Sequence, residues 1–388
     1  MQERAYFIRE YLEDEYSFSE LCRMYRISRK TGYKWLKRYL LFGFAGLLDL
    51  SRARHHQDPQ TDPVLVDAVV ELRKKHIDWG PRKLYARLAR ENPDELWPRP
   101  STIAKIIKRE GLVRKIKRRA RPGEHVSPFV GYCGPNAVWT ADHKGAMPTR
   151  SGKHCLPLTV QDGFSRYLLA AEAVDSTSVR ANKGVFERLF TEYGMPGALR
   201  SDNGPPFASV GLGGVTELSK WWIKLGIKPE RIEPGRPSQN GRHERMHRTL
   251  KAGLAESIKQ ATAKTAQPLL DEFRTMFNEE RPHEALAYKT PSDVYLRSTK
   301  TYPVKLRDPE YPSGMLLERV SARGKLHFMG ESYHMPKLFR QELLGMKVAE
   351  EEKWQVYFGP ALLGAIYPLA FRSEGKGVGK RRFRPHKR

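Results

Sequence analysis

Four aspartates in the middle of this 388-residue chain stand at or near the ends of apolar runs: Asp142, Asp162, Asp175 and Asp202. A fifth acid, Glu244, lies in a helical stretch with His247, Arg248 and Lys251 three, four and seven residues further on. Residues at those spacings share a helix face, so a carboxylate there stands beside a basic stripe that can meet phosphates. Carboxylate oxygens are the natural ligands of hard divalent cations. Two such cations roughly 4 Å apart can stabilise both the attacking and the leaving oxygen of a phosphodiester. Acids gathered from separate elements could therefore cut or join nucleic acid. A single Asp near a strand end is more often a turn or cap residue, so the elements must decide which acids belong together.

Those elements follow from the hydrophobic period. Val138–Asp142, Cys155–Gln161, Tyr167–Val174 and Gly197–Asp202 read as strands, with a further strand near 231–233. Ser178–Tyr193 reads as an amphipathic helix with Val185, Phe186, Leu189 and Phe190 on one face. A helix lies near 218–225, and Pro237–Gly241 opens a long helix to about Ile258. The order βββαβαβα with mixed pairing fits a ribonuclease-H-like sheet. Asp142 and Asp202 then end strands, and Glu244 sits on the long helix. Asn203 and Gly204 suit a sharp turn beyond Asp202. His143 follows Asp142 directly, so on a strand its side chain points to the opposite face and is read as no ligand. Asp162 and Asp175 read as structural.

Three motifs in order, WTADHKG, LRSDNGPPF and GRPSQNGRHERMHRTLK, resemble the integrase-type DDE core of bacterial insertion-sequence transposases and retroviral integrases. The resemblance covers about residues 10–295. It implies Asp142, Asp202 and Glu244 as the catalytic, metal-holding acids, with Asp142 bridging two Mg²⁺ ions (Mn²⁺ as a substitute) and the other two each completing one side. It implies strand cleavage by water at a transposon end, then attack of the freed 3′-OH on target DNA. The 41 residues between Asp202 and Glu244 are more than is common in the family; the excess falls in the Gly-rich Ser209–Val215 segment. Arg281–Pro291 resembles the closing motif of the same core, with His283 read as structural.

The charge fits that chemistry. Lys and Arg number 69 and Asp and Glu 44, for a formal net charge of +25. Residues 1–122 carry +12 and residues 372–388 carry +7, so the flanks hold most of the excess. A charge this large points to a polyanion, most simply nucleic acid. In the N-terminal flank, residues 4–14 read as a helix, Ser17–Glu20 as a capping box opening a second helix, and Ser28 as the cap of a third, Arg29–Arg38. Tyr33, Leu36 and Trp35 are expected inward, with Arg29, Lys30, Thr31, Lys34 and Lys37 outward. Two short helices joined by a tight turn, the second basic at its start, describe a helix-turn-helix whose long side chains reach base edges and phosphates. A second module follows: helices over 64–76 and 82–90, then Thr102–Glu110 capped by Ser101, with Lys105, Lys108 and Arg109 outward. Both modules are similar to the N-terminal helix-turn-helix readers of the same transposases. The run through Arg118 and Arg119 reads as a basic linker tracking phosphates.

After Pro303 short strands separated by turns predict a small β-barrel, and the tail from 372 reads as a basic segment that orders on DNA. The expected organisation is multidomain: helix-turn-helix domains over 1–55 and 56–122, an α/β ribonuclease-H-like core over 123–298, a small C-terminal β-barrel over 299–371, and the tail. Three widely spaced cysteines with no CxxC exclude a zinc ribbon or disulfide scaffold. The charged start lacks an apolar leader, and no apolar stretch is long enough to span a bilayer. The absence of a leader or span predicts an intracellular protein, and the resemblance implies the bacterial cytoplasm at the nucleoid, double-stranded DNA (transposon ends and target) as partner, and a homodimer or larger assembly. Two other readings stay open: a DNA-binding regulator that keeps an inactive core, and a nuclease without strand transfer.

Overall fold

Ser17 and Glu20 cap each other. The Ser17 hydroxyl accepts from the Glu20 amide, and the Glu20 carboxylate accepts from the Ser17 amide. In the computed structural model, which describes residues 2–49, 61–114, 131–233, 236–262, 265–350, 353–368 and 383–385, this box follows α1 (Gln2–Leu12) and opens α2 (Phe18–Met24). Ser28 caps α3, which runs Arg29–Phe42, four residues beyond the expected end. Residues 1–63 form one compact unit and 64–388 another. The first closes on Phe7, Ile8, Leu21, Cys22, Leu36 and Leu47. Tyr33 does not join this core as expected; it is exposed and stacks on Phe18, and Gly32 takes the buried place.

A side chain at Gly32 would have no room. An added Cβ would lie 2.8 Å from Cys22 Sγ and 3.0 Å from ring atoms of Phe18 and Phe7. This explains a glycine in a helix interior despite its cost of about 1 kcal/mol against Ala. Gly32→Val should therefore destabilise this unit by about 1–3 kcal/mol through overpacking. Hydrogen exchange over residues 2–49 reads the effect; unchanged protection there would contradict the packing.

The second unit begins with α4 (Pro63–Lys75), α5 (Pro81–Glu91) and α6 (Pro100–Arg109), which share a core of Val69, Trp79, Leu84, Leu88, Ile103, Ile106 and Ile107. The expected Ser101 cap does not form. Helix α6 starts two residues earlier, on Pro100, whose fixed φ and missing N–H suit a first turn. This module packs on the region behind it. Arg281 donates to Asp78 at 2.8 Å, and Arg90 pairs with Asp293 at 2.7 Å.

The central sheet contains β1 (Val138–His143), β2 (Met147–Pro148), β3 (His154–Asp162) and β4 (Leu168–Val174). After α7 (Val179–Tyr193) come β5 (Ala198–Ser201), α8 (Glu217–Lys224) and β6 (Lys228–Arg231), the last a few residues earlier than expected. The strand order is β4-β3-β1-β5-β6, with β2 pairing the start of β3. β3 is antiparallel to β1 and β4, whereas β1, β5 and β6 run parallel. This is the mixed ribonuclease-H-like sheet that the element order implied. One face packs Trp139, Ala141, Leu158 and Val160 against Phe186, Leu189 and Phe190 of α7 and Trp221 and Trp222 of α8. The other face carries α9 (Gly241–Gln260) and α10 (Ala266–Thr275) over Met147, Cys155, Leu168 and Ala171. Asp162, read as structural, accepts from the Asn136 amide at 2.7 Å and the Ser165 amide at 2.8 Å, closing the β3–β4 turn.

The C-terminal strands β7 (Leu316–Arg319), β8 (Lys325–Phe328), β9 (Glu331–His334), β10 (Leu343–Glu350), β11 (Lys353–Phe358), β12 (Ala361–Ile366) and β13 (Arg384–Pro385) correct the expectation of a barrel. Among the described residues they form an open antiparallel sheet, β13-β12-β11-β10-β7, and a separate β8–β9 hairpin. No closing ladder is needed, because the sheet buries its apolar face by other means. Val215 and Ile223 of the central region pack into its core of Leu344, Met346, Val356 and Leu363. Gly213 is a point of close approach: its φ is +57° and a Cβ there would meet the Leu362 carbonyl at 2.7 Å. The Gly-rich Ser209–Val215 insertion thus receives the C-terminal sheet. Lys220 and Lys224 of α8 add ion pairs to Glu342.

Candidate active site

Strand alternation decides which residues meet under α9. On β1, Trp139 and Ala141 face α7 and α8, so Thr140 and Asp142 face α9. The β1–β3 register places Thr159 opposite Asp142 and Gln161 opposite Thr140. Over this polar strip α9 lays His243 and His247, one turn apart and both buried. The Thr140 hydroxyl lies 2.7 Å from His243 Nδ1. The Thr159 hydroxyl is shared three ways: 2.7 Å to His243 Nε2, 2.7 Å to His247 Nε2 and 2.9 Å to the Asp142 carbonyl oxygen.

Counting protons fixes the tautomers. A carbonyl only accepts, so the one hydroxyl proton of Thr159 goes to Asp142, and both imidazoles must donate through Nε2. Burial keeps His243 neutral, so its Nδ1 accepts from Thr140 at 2.7 Å in preference to the longer 3.3 Å contact of that hydroxyl with the Gln161 carbonyl. His247 Nδ1 is left with a lone pair, 3.7 Å from Asp142 Oδ2. This contact is no salt bridge. Burial, then Lys144 and His143, pushes the His247 imidazole down to about 3, so it is neutral. Burial, then the neighbouring Asp202, pushes the Asp142 carboxyl up to about 7; Glu244 adds to the rise, and Lys144 opposes it.

Asp202 follows the end of β5 and is held by a backbone turn. The Gly204 amide donates to its Oδ1 at 3.1 Å. A Cβ on Gly204 would stand 3.0 Å from Asp202 Oδ2, so glycine keeps that space for the carboxyl group. Asn203 anchors the turn by donating to the Ile232 carbonyl at 2.6 Å. Below it, Arg200 and Glu230 form a buried ion pair at 2.8 Å between β5 and β6. Arg200 also donates to the Tyr132 hydroxyl at 2.7 Å.

Asp142 stands at a strand end, Asp202 beyond another and Glu244 in the first turn of α9, and Asp202 and Glu244 both raise the Asp142 carboxyl. Their chemistry fits divalent cations. Burial, with Asp202 and then Glu244 nearby, holds a proton on Asp142 near neutral pH, and a bound cation would favour its ionised form. Asp142, His243 and His247 also bring ligand-capable atoms within 4.8 Å of one another. Both His243 nitrogens are already engaged, so Asp142 oxygens and His247 Nδ1 are the atoms that remain.

The structure moves one residue from its expected setting. His247 shares the azimuth of Glu244 but is buried against Thr159, whereas Arg248 and Lys251 are exposed. His143 packs against Phe207 on the opposite face, as strand alternation requires. His283 packs against Phe277. Arg29, Lys30, Lys34, Lys105, Lys108 and Arg109 are exposed on α3 and α6, with Thr31 half-buried beside Ser28. Arg118 and Arg119 lie outside the described residues, as does nearly all of the basic tail. Sequence reasoning missed the Thr140–Thr159–His243 network and the Arg200–Glu230 pair.

Known proteins match both the N-terminal helical part and the central part of the chain. Residues 134–237 and 225–291 match two models described as integrase core domain. Residues 3–55 match a helix-turn-helix domain, and 31–107 a homeodomain-like domain. The insertion element IS407 31.7 kDa protein of Burkholderia multivorans is 30% identical over 266 residues, 66% of this chain and 90% of that protein. The insertion element IS476 39.2 kDa protein of Xanthomonas euvesicatoria is 27% identical over 256 residues, 63% of this chain and 69% of that protein. The Gag-Pol polyprotein of baboon endogenous virus is 29% identical over 196 residues, 49% of this chain and 11% of the polyprotein.

Proposed function

The chain belongs to the insertion-element transposase family with an integrase core and helix-turn-helix domains, and from that premise we propose that it is a DDE transposase that binds terminal inverted repeats and catalyses strand cleavage and strand transfer. What supports the reading is that Asp202 and Glu244 both act on the carboxyl of Asp142, whose backbone the Thr159 network holds under α9 in this core. These three acids would hold two divalent ions, Mg²⁺ with Mn²⁺ as a substitute; ions bound there stabilise charge on the attacking and leaving oxygens of a phosphodiester.

The chain's own residues supply position and a neutral setting. Thr159 fixes the Asp142 backbone and both imidazoles at once. The neutral His247 brings no positive charge that would compete with a cation for Asp142. Gly204 holds Asp202 by its amide. Arg248 and Lys251 project from the exposed side of the same helix toward solvent, where they would meet DNA phosphates. Helices α3 and α6 would read DNA through Arg29, Lys30, Thr31 and Lys34 and through Lys105, Lys108 and Arg109, with Arg118 and Arg119 on the linker. In the first step a water oxygen replaces the 3′ oxygen of the transposon end on phosphorus. In the second, the freed 3′ oxygen replaces a bridging oxygen in target DNA. Assembly as a homo-oligomer on two ends follows from the need to join both.

The test is direct. The purified chain is mixed with a duplex that ends in the flanking inverted repeat, a supercoiled target and Mg²⁺ or Mn²⁺. Cleavage at the repeat terminus and joined products are expected. Repeat-specific binding with no cleavage in either metal would instead favour a regulator.

A further inference from the structure

Away from the acidic site, the opposite side of α9 lines a second concavity of about 500 Å³. Its walls come from four places: α5, the β3–β4 turn, the first turns of α9, and the segment after α10. The cations on them are Lys83, Arg166, Arg242, Arg245 and Arg281, against one lining carboxylate, Glu284. Arg242 is pinned over the Tyr132 ring at 3.9 Å and donates to the Gly163 carbonyl. Arg281 is pinned to Asp78. No ion pair forms at Lys83, Arg166 or Arg245 among the described residues, and Glu284 is exposed and turned to Arg82 at 3.9 Å.

Like charges gathered in a partly closed space are unfavourable unless something compensates them. The strain is visible on two of the groups. Burial, then Arg281, pulls the Lys83 ammonium down to about 8. Burial, then Arg242 and Arg245, pulls Arg166 down to about 10. The fold nevertheless holds Arg166 in place from a left-handed backbone, φ +66°, with its carbonyl accepting from Gln161 Nε2 at 2.9 Å. Gln161 is itself 1% exposed, and its Oε1 has no partner; neither has His283 Nε2 on the opposite wall. The concavity thus combines cations that form no ion pair among the described residues with buried polar atoms that have no hydrogen-bond partner.

We propose that this concavity is a phosphate-binding site that grips the sugar–phosphate backbone of bound DNA, through Lys83, Arg166 and Arg245, on the side of α9 away from the acidic cluster. The identity of the anion as DNA rests on the transposase reading; the anion site itself does not. Phosphate oxygens supply the acceptors that three free cations lack. Because Lys83 belongs to the second helical module and the arginines to the core, one backbone segment would bridge the two.

The test measures binding without metal, so it is independent of cleavage. Duplexes carrying the terminal repeat are prepared with a single neutral methylphosphonate at each position in turn, and affinity is read by fluorescence anisotropy at 150 mM salt. Arg166→Ala and Arg245→Gln are each expected to weaken binding about 3–10-fold and to lower the slope of log K against log salt by about one. At one or two positions, neutralising the phosphate should cost the wild type but no longer cost the variant. Arg245 is exposed, so Arg245→Gln keeps the test open should Arg166→Ala fold poorly. An unchanged methylphosphonate pattern in both variants overturns the proposal. So does loss of tripolyphosphate binding in the variants with duplex binding intact, since the site would then take a free polyphosphate. Failure of the wild type to cleave in metal, with this pattern present, would count against the transposase reading alone.

Discussion

Asp142→Asn should lose strand cleavage and joining by about 10³-fold or more and, without metal, should be more stable than the wild type. The two effects share one cause. Divalent ions at the acids contribute several kcal/mol of transition-state charge stabilisation, and about 1.4 kcal/mol is a tenfold change in rate. The same carboxyl is costly when no ion is present. In the folded chain it titrates near 7 instead of its ordinary 3.8, because it is buried beside Asp202. Between about pH 4 and 7 the folded state therefore holds a proton that the unfolded chain has released. Stability falls as pH rises through that window, and the full cost is present above it. Asparagine carries no such charge. The variant should gain on the order of 1–3 kcal/mol over the wild type at pH 8 and almost nothing at pH 4. Mg²⁺ should raise the melting temperature of the wild type and leave that of the variant nearly unchanged. Thermal melts with and without metal at the two pH values read this. An active variant, or one destabilised at pH 8, would overturn the assignment of Asp142.

Much of this site was legible because its parts are local. Asp142 and Asp202 end apolar runs that alternation marks as strands, and Gly204 follows at a spacing that suits a carboxyl-holding turn. Burial on α9 was harder to see. Helical spacing groups His247 with Glu244, Arg248 and Lys251, but it does not say which azimuth meets the sheet. Met246 and Leu250 are the apolar residues of that stretch, and they mark the buried stripe on which His243 and His247 also lie. That signal was present; the basic neighbours outweighed it. The missing barrel has a different origin. Strand runs after residue 303 are local and were read, whereas closure is a long-range choice between pairing a free edge and burying the sheet face elsewhere. The sheet face is covered by Val215 and Ile223, more than a hundred residues back in the chain. For the same reason the Gly-rich Ser209–Val215 segment carried no sign of the sheet that packs on it.

The Arg200–Glu230 pair was illegible for the same reason, since its partners are thirty residues apart and each alone looks like a surface charge. Both side chains are 2% exposed in the structure. Removing one partner of such a pair leaves a buried charge without compensation, which costs about 3–5 kcal/mol. Glu230→Leu should show that loss in urea unfolding, because the buried guanidinium of Arg200 loses the carboxylate 2.8 Å away. Arg200→Met should fall at the lower end of the range, because Lys228 stays 3.4 Å from Glu230. The double variant should recover most of the stability, since apolar side chains of similar volume replace a desolvated pair at little net cost. Activity should then separate from stability. Arg200 lies on β5, two residues before Asp202, so the single variants should lose strand transfer in step with unfolding and regain it on cooling. The double variant should be active wherever it is folded. If it stayed inactive while folded, Arg200 would have a direct part in the reaction that its burial argues against.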